Sequence, residues 1–229
     1  MQKIAIVGIG GMGTVHYNNY ARIEKAEVSA VVGPSQSDRK KAADWGVKLY
    51  TNLEELLQKE EIDLVDICTP TFLHVENALR ALEHGKNVII EKPLALHKKR
   101  AEKVFSLADK KNALVFVGQV LHFTKEVEIL KKLLRSGRYG RVLDAYFTRL
   151  TAAPDWSEGG WLFDKEKSGL LPFDLHIHDL DLIVNLFGRP ESYNFNAAGR
   201  KNSNFKEKYR FNYDFGDLKV GAAAAWYRA

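Results

Sequence analysis

The first 13 residues constrain the fold of this chain more than any other stretch. Lys3–Ile9 is a short apolar run rich in β-branched residues, which favours a strand buried on both faces. It leads into a Gly-x-Gly-x-x-Gly motif and then into Thr14–Ile23, where larger side chains recur at helical spacing. This order predicts a site for a dinucleotide pyrophosphate, because the helix begins with open backbone N–H groups. The alternative is a glycine-rich connection that binds nothing.

The glycines of the motif have separate tasks. Gly8 permits the tight turn, Gly10 lets the backbone approach the phosphates, and Gly13 lets the helix pack on the strand. The cofactor contacts predicted in this stretch are Gly8, Gly10, Gly11, Met12 and Gly13.

Composition is that of an ordinary globular protein: 229 residues, 45% hydrophobic and 28% charged, enough for one large or two modest domains. No apolar run approaches a membrane span, and Met1 leads into a strand rather than a signal peptide. We therefore expect no membrane partner and a cytoplasmic location. The single cysteine, Cys68, lies in an apolar run and is expected to be a buried, reduced thiol.

The net charge of +5 raises the question of a nucleic-acid partner. The basic residues, however, are dispersed over helical surfaces such as His97–Lys103, without an aromatic-interleaved patch. A solvated surface that steers an anionic cofactor is favoured, and no nucleic acid is expected.

Strands alternate with helices through residue 119, which predicts a doubly wound parallel sheet of the Rossmann kind in an α/β fold. Within it, Thr51 and Glu54 predict a capping box. After residue 120 the pattern changes to a half-exposed strand over Arg141–Thr151 and a hairpin turning at Gly216-Asp217. We predict an NAD(P)-binding domain over 1–120 and an α+β domain with an open, mainly antiparallel sheet over 121–229.

The carboxyl ends of parallel strands meet at one edge of a sheet, where ligands bind. Besides the glycine motif, the residues placed at that edge are Thr69, Pro70, Glu91, Lys92 and Gln119. Lys92 follows a buried strand and precedes a proline, so its ammonium could donate a hydrogen bond to a substrate oxygen. The alternative is a surface lysine that happens to follow a strand.

A single helix is predicted over Pro172–Phe187, apolar except for one polar stripe. The stripe residues, at spacings of four, three and four, are Asp174, His178, Asp181 and Asn185. Asp174 and His178 could hydrogen-bond as a general acid–base pair, or simply stabilise the start of the helix.

A metal site is the rival interpretation, with His176 and His178 joined by Asp179 or Asp181. On a helix, residues two apart diverge by about 200°, so no metal is predicted. In the long loop over 151–167, Trp156 and Trp161 could wall a pocket for a sugar-like ring, or merely cover the core.

Four segments resemble, in order, the glucose–fructose oxidoreductase / inositol dehydrogenase (Gfo/Idh/MocA) family. They are the strand with the glycine motif, Thr69-Pro70 with His74 and residues 81–86, Glu91–Leu94, and Asp174–Asp181. The resemblance implies a nicotinamide-binding Rossmann domain and a second domain whose open sheet often mediates dimers or tetramers. It adds His74 and Glu91 to the expected cofactor contacts.

The resemblance also implies hydride transfer between the nicotinamide and a secondary alcohol or ketone of a sugar, inositol or related polyol. Lys92 would then position the substrate oxygen, His178 would transfer the proton, and Asp174 would support His178. A second hypothesis is a non-catalytic protein that senses a nucleotide or a sugar.

Three departures from the family pattern matter. The second strand leads to no carboxylate in residues 32–37, whereas Ser35 and Arg39 could accept a 2′-phosphate, so NADP is favoured over NAD. His122, which is predicted to contact the substrate, stands where the family often has arginine. The chain also ends at Ala229 inside an expected strand, which predicts a shortened sheet.

Overall fold

The structure is a computed structural model that describes residues 1–227. It divides into two compact units, Met1–Gly118 and Gln119–Ala229. The first is a doubly wound α/β unit and the second combines helices with one mixed sheet, which confirms the predicted fold class. Every helix within the described residues is too short or too polar to span a bilayer. The predicted strand position of Ala229 lies outside the described residues.

A six-stranded parallel sheet, in the order β3-β2-β1-β4-β5-β6, is the centre of Met1–Gly118. Its strands are β1 (Gln2–Val7), β2 (Ala26–Val32), β3 (Lys48–Tyr50), β4 (Leu64–Ile67), β5 (Asn87–Ile90) and β6 (Val115–Val117). The connecting helices are α1 (Gly11–Tyr20), α2 (Gln36–Trp45), α3 (Leu53–Lys59), α4 (His74–Glu83) and α5 (Lys98–Lys111). The strand order reverses between β1 and β4, and sheets of this kind bind ligands beyond the carboxyl ends of such strands.

Alternate residues of β1 enter two separate cores. Ala5 and Val7 pack with residues of α3, α4 and α5, whereas Ile4 and Ile6 pack with residues of α1 and α2. All four side chains are at most 3% exposed, so the strand is buried on both faces as its apolar run predicts. Burial of each larger side chain stabilises the fold by roughly 1.5–3 kcal/mol.

The start of α3 differs from the prediction. The capping box of Thr51 and Glu54 is wrong, because the side-chain oxygen of Asn52 accepts a hydrogen bond from the Glu55 N–H at 2.8 Å instead. Asparagine is at least as effective as threonine at this position, and its use moves the first helical residue to Leu53.

The second unit has a four-stranded sheet in the order β7-β10-β9-β8. Its elements are α6 (Lys125–Ser136), β7 (Asp144–Ala152), α7 (Lys165–Ser168), α8 (Leu170–Asp174), α9 (Ile177–Phe187), β8 (Ser192–Ala198), β9 (Lys208–Phe215) and β10 (Leu218–Tyr227). The hairpin of β9 and β10 is confirmed, β7 joins β10 in parallel, and β8 was not predicted. The predicted loop over 151–167 is wrong in part, since it contains a 3₁₀ segment and the start of α7.

The single helix predicted over Pro172–Phe187 is wrong, because the chain breaks between α8 and α9. The N–H of His176 donates to the carbonyl of Leu171 at 3.1 Å, five residues back, which inserts an extra residue into this turn. Asp174 and His178 therefore do not share one regular helix, and the polar stripe is interrupted after Asp174.

His176, in this break, is a core residue. Its ring stacks on Phe211 with centroids 4.0 Å apart, and its Nε2 lies 2.7 Å from the Tyr213 hydroxyl. Burial, with help from the nearby Arg149 charge, lowers the pKa of His176 to about 4. The ring is therefore neutral at neutral pH, and a metal-ligand role for it would require breaking this packing.

The His176 environment predicts a pH-dependent stability. Since the folded-state pKa lies below the ordinary 6.5, the contribution of the neutral ring is complete above about pH 6.5 and is lost as the pH falls towards 4. Urea unfolding should show the wild type losing roughly 1–2 kcal/mol more than His176→Phe between pH 7.5 and 5. Equal losses in both proteins would contradict this assignment.

Candidate active site

The glycine motif forms a tight turn between β1 and α1. Gly8 has φ of 87°, and a Cβ on Gly13 would lie 2.1 Å from the Gly8 carbonyl oxygen. A Cβ on Gly10, in contrast, would meet nothing within 4 Å. Gly10 is the N-cap of α1, and no described side chain caps this helix. A Cβ on Gly11 would also meet nothing within 4 Å, and Met12 is 44% exposed. This cradle fits a pyrophosphate.

The other predicted contacts follow neighbouring strands, so they lie at the same edge of the first sheet. Thr69 and Pro70 come after β4, and Glu91 and Lys92 come directly after β5. Lys92 is half-buried. Gln119 follows Gly118 and is the first residue of the second unit.

A charged cluster that the sequence reasoning missed joins α1 to the ends of β4 and β5. The His16 ring places Nδ1 2.7 Å from Asp66 Oδ2 and Nε2 3.1 Å from Glu91 Oε1. The other oxygen of Glu91 accepts a hydrogen bond from the Lys92 backbone N–H at 3.0 Å. We call His16, Asp66 and Glu91 the His16 bridge. The sequence does contain one indication of this bridge: Asp66 is a charged residue inside an apolar strand.

Two further side chains complete this cluster. The Tyr20 hydroxyl donates to Asp66 Oδ2 at 2.9 Å, and Cys68 Sγ lies 3.4 Å from His16 Nδ1. Burial alone would lower the pKa of His16, but its hydrogen bonds, that to Asp66 above all, raise it to about 12. Burial likewise opposes ionisation of Glu91, yet the His16 contact holds the Glu91 pKa below its usual range. The bridge is thus an imidazolium between carboxylates.

The same cluster offers a possible metal-ligand set, since His16, Asp66 and Cys68 bring nitrogen, oxygen and sulfur atoms within 4.8 Å of one another. A metal would need a neutral imidazole and a thiolate. Burial raises the pKa of Cys68 to about 12, and the pKa of His16 is equally high. The protonated, hydrogen-bonded form is therefore favoured over metal binding near neutral pH.

His74 lies beneath the loops rather than on their surface, which corrects its predicted direct contact with a cofactor. It is 1% exposed, and its two ring nitrogens lie 2.8 Å from the carbonyl oxygens of Pro93 and Thr69. Burial lowers the pKa of the ring although both carbonyls oppose this. His74 therefore ties together the two loops that follow β4 and β5.

The two residues predicted to bind a 2′-phosphate differ in whether they are free to donate a hydrogen bond to it. Ser35 is the N-cap of α2, and its hydroxyl donates to the Asp38 carboxylate at 2.6 Å while accepting from the Asp38 N–H. With its one proton on Asp38, Ser35 has none for a phosphate, which weakens that part of the NADP prediction. Arg39 is exposed.

A second cation near this end of the site was not singled out from the sequence. The Lys41 ammonium donates to the Ile9 carbonyl at 2.8 Å and lies 3.4 Å from the Thr14 hydroxyl. It thereby holds α2 to the glycine turn. In the basic run Arg39–Lys41 no pattern distinguishes the lysine that faces inward.

In the second unit, His178 is the second residue of α9 and is half-buried. Both of its neighbours along this turn are anchored. His176 is hydrogen-bonded to Tyr213, and the buried Asp179 carboxylate accepts three hydrogen bonds of 2.7–3.1 Å from Arg149. These contacts hold the start of α9 on the sheet and so define the position of the His178 backbone.

The remaining predicted residues of this unit lie on different elements. Asp174 is the last residue of α8 and is half-buried. His122 contacts the Asp181 carboxylate through Nε2, which links a predicted substrate residue to the polar face of α9. Trp156 is 68% exposed, whereas Trp161 is half-buried.

Comparison with known proteins identifies the family. A family model described as an oxidoreductase family with an NAD-binding Rossmann fold matches residues 2–119, and a GFO/IDH/MocA C-terminal domain model matches residues 127–221. The chain belongs to the Gfo/Idh/MocA oxidoreductase family. The predicted family is thereby confirmed.

Relatives in the Gfo/Idh/MocA family are named for different substrates and reactions. The 2,7-anhydro-N-acetylneuraminate hydratase of Mediterraneibacter gnavus is 31% identical over 80% of this chain and 49% of that protein. The glucose-6-phosphate 3-dehydrogenase of Bacillus subtilis is 29% identical over 91% of this chain and 60% of that protein. A crystal structure of an NAD-binding protein from Listeria innocua has a TM-score of 0.89 and 25% identity, covering 98% of this chain and 67% of that one.

The chain therefore spans about half the length of these curated relatives. The family's Rossmann domain lies within this chain, and residues 127–221 match the family's C-terminal domain.

The geometry of the glycine turn predicts that one alanine substitution lowers stability and another weakens cofactor binding. Gly13→Ala should lower the free energy of unfolding by about 3 kcal/mol, because its Cβ collides with the Gly8 backbone. Gly10→Ala should change stability by less than about 1 kcal/mol but weaken NADH binding, since its methyl group occupies the cradle. Urea unfolding and NADH fluorescence titration measure both. A stable Gly13→Ala protein would contradict the close approach of α1 to β1.

Proposed function

We propose that this chain carries the cofactor site and the reactive residues of an NAD(P)-dependent oxidoreductase acting on a secondary alcohol or ketone of a sugar, inositol or related polyol. The observation that carries the proposal is Lys92, an amine at the sheet edge that also bears the glycine cradle, with its backbone N–H held by Glu91. Family membership supports the reaction class, and a relative named for glucose-6-phosphate supports the substrate class.

When bound, a nicotinamide supplies the hydride acceptor or donor at its C4 atom. In oxidation, His178 accepts the proton of the substrate hydroxyl as the hydride leaves the carbon and the C=O bond forms. The Lys92 ammonium donates a hydrogen bond to the same oxygen and stabilises the negative charge that develops on it. Asp174 stabilises the protonated His178 ring. Reduction reverses each transfer.

Two substitutions test these roles. Lys92→Ala and His178→Ala should each lower kcat by roughly 10²- to 10⁴-fold, because each removes a group that acts on the reacting oxygen. NADH or NADPH affinity should change by less than about twofold, since neither side chain is needed by the glycine cradle. Absorbance at the nicotinamide band with a panel of sugars and polyols measures turnover.

The matched controls are Lys110→Ala and His97→Ala, at exposed positions of the first unit, which should retain wild-type rates. Wild-type turnover in the Lys92→Ala/His178→Ala double variant would refute the assignment. Tight binding of the cofactor without turnover of any compound in the panel would favour the sensing protein instead.

For the cofactor, we propose NADP over NAD, with Arg39 as the 2′-phosphate contact rather than Ser35. The exposed guanidinium on the first turn of α2 suits a phosphate, and the end of β2 has a glycine, Gly33, where a ribose-binding carboxylate would stand. Asp38 turns its carboxylate to Ser35.

This proposal predicts a selective loss. Arg39→Ala should weaken NADPH binding by roughly tenfold and leave NADH binding unchanged, because only the 2′-phosphate meets this guanidinium. Lys40→Ala, the adjacent exposed cation on α2, is the control and should affect neither. Fluorescence titrations with both cofactors decide it; equal losses for NADH and NADPH, or no loss, would argue against Arg39.

We further propose that the protein forms a homodimer or tetramer through the sheet of the second unit. On β7, Tyr146 and Leu150 lie on the face opposite the helices and are 61% and 49% exposed. Neighbouring positions of β10 on that face are Gly221 and Ala223, and the Tyr146 ring lies over Gly221. The exposed apolar surface here is therefore that of Tyr146 and Leu150, with the exposed Thr148 between them.

A further inference from the structure

We propose that His16 is a positioning residue for Lys92: its ring, on α1, contacts one oxygen of the Glu91 carboxylate, whose other oxygen holds the Lys92 backbone N–H. This inference rests on the proposed role of Lys92 in the reaction. It adds a residue outside the expected cofactor and substrate contacts, and it connects α1, whose first turn forms the phosphate cradle, to the residue that meets the substrate oxygen.

The geometry makes Glu91 the link. One carboxylate oxygen faces the His16 ring at 3.1 Å and the other accepts the Lys92 N–H at 3.0 Å. Glu91 is 6% exposed, and a Cβ on Gly118 would come within 3.2 Å of its Oε1. The carboxylate therefore has little room to turn. Its negative charge strengthens the bond from the Lys92 N–H, so protonation of Glu91 would loosen that backbone.

The charges around Glu91 indicate what His16 contributes. The groups that face one another here are His16 and Tyr20 from α1, Asp66 and Cys68 from β4 and its end, and Glu91 and Lys92 after β5. The side chain of Asp66 is completely buried and that of Glu91 is 8% exposed. A nearby cation favours the ionised form of a buried carboxylate, and among the described residues the His16 ring contacts both of these carboxylates. The Lys92 charge adds to this effect at Glu91.

Removal of the imidazolium should therefore change the ionisation of Glu91. In His16→Gln, Glu91 is expected to bind a proton at a higher pH than in the wild type, because the cation that favours its ionised form is gone. The Lys92 backbone amide reports this directly, because it donates to Glu91. A merely structural loss would lower stability without raising the pH at which the Lys92 amide titrates.

The test follows the ¹⁵N-labelled histidine ring and the Lys92 amide by NMR in the full chain. In the wild type, both His16 nitrogens should remain protonated and the Lys92 amide shift should stay constant from about pH 5.5 to 8.5. In His16→Gln the Lys92 amide should titrate at a higher pH than in the wild type. Tyr20→Phe, which removes a hydrogen bond to Asp66 but no charge, is the matched control and should behave as the wild type does.

A double variant checks the cause. Adding Asp66→Asn to His16→Gln removes the second carboxylate, so the Lys92 titration should move to lower pH. Where turnover is measurable, His16→Gln should reduce kcat by roughly 10- to 100-fold with little change in cofactor affinity, and the double variant should recover part of it.

The outcomes distinguish the positioning role of His16 from the proposed reaction. A wild-type His16 ring that is neutral at pH 7, or a Lys92 amide that titrates at no higher pH in His16→Gln than in the wild type, overturns the positioning role even if the enzyme turns over substrate. Should His16→Gln fail to fold, the protonation state of the wild-type ring still decides. Absence of turnover in the wild type counts against the proposed reaction alone, since the NMR measurements do not require it.

Discussion

The close approach of α1 to β1 is the constraint on which the rest of the first unit depends. No side chain fits between Gly13 and the Gly8 carbonyl, so the helix axis lies as near the sheet as backbone atoms allow. At that distance the His16 ring reaches both Asp66 in β4 and Glu91 after β5. A wider spacing would leave these carboxylates buried without a cation, at a cost of several kcal/mol. The glycine motif therefore shapes the phosphate cradle and also makes the His16 bridge possible.

Much of this architecture was predictable because it depends on local pattern. The apolar run of β1, the helix stops at Gly46 and Gly137 and the alternation of the final hairpin are all readable from neighbouring residues. That the residues after β4 and β5 meet at the carboxyl edge follows from the parallel arrangement of the strands. The His16 bridge does not, since it joins residues 50 and 75 positions apart whose pairing depends on how deeply α1 packs.

The break between α8 and α9 shows where local pattern fails. The spacing of residues 172–187 predicts one helix, because their apolar positions recur with the period of an α-helix. Burial of His176 against Phe211 and Tyr213 outweighs the regular hydrogen-bond ladder, and the chain accommodates it with one extra residue in the turn. The competing contacts come from β9, more than 30 residues later in the chain, so the helix segment itself carries no sign of them.

The two residues proposed to meet the substrate share one structural feature, each within its own unit. Lys92 follows Glu91, whose carboxylate is held by the His16 cation, and His178 precedes Asp179, whose carboxylate is held by the Arg149 guanidinium. In both cases a buried ion pair fixes the backbone through the adjacent residue. Because the pairs are buried, their desolvation cancels much of their attraction, and they contribute little net stability compared with apolar packing. They contribute position instead. An acidic residue held by a cation has one arrangement, and this arrangement fixes the backbone from which the next side chain, Lys92 or His178, extends.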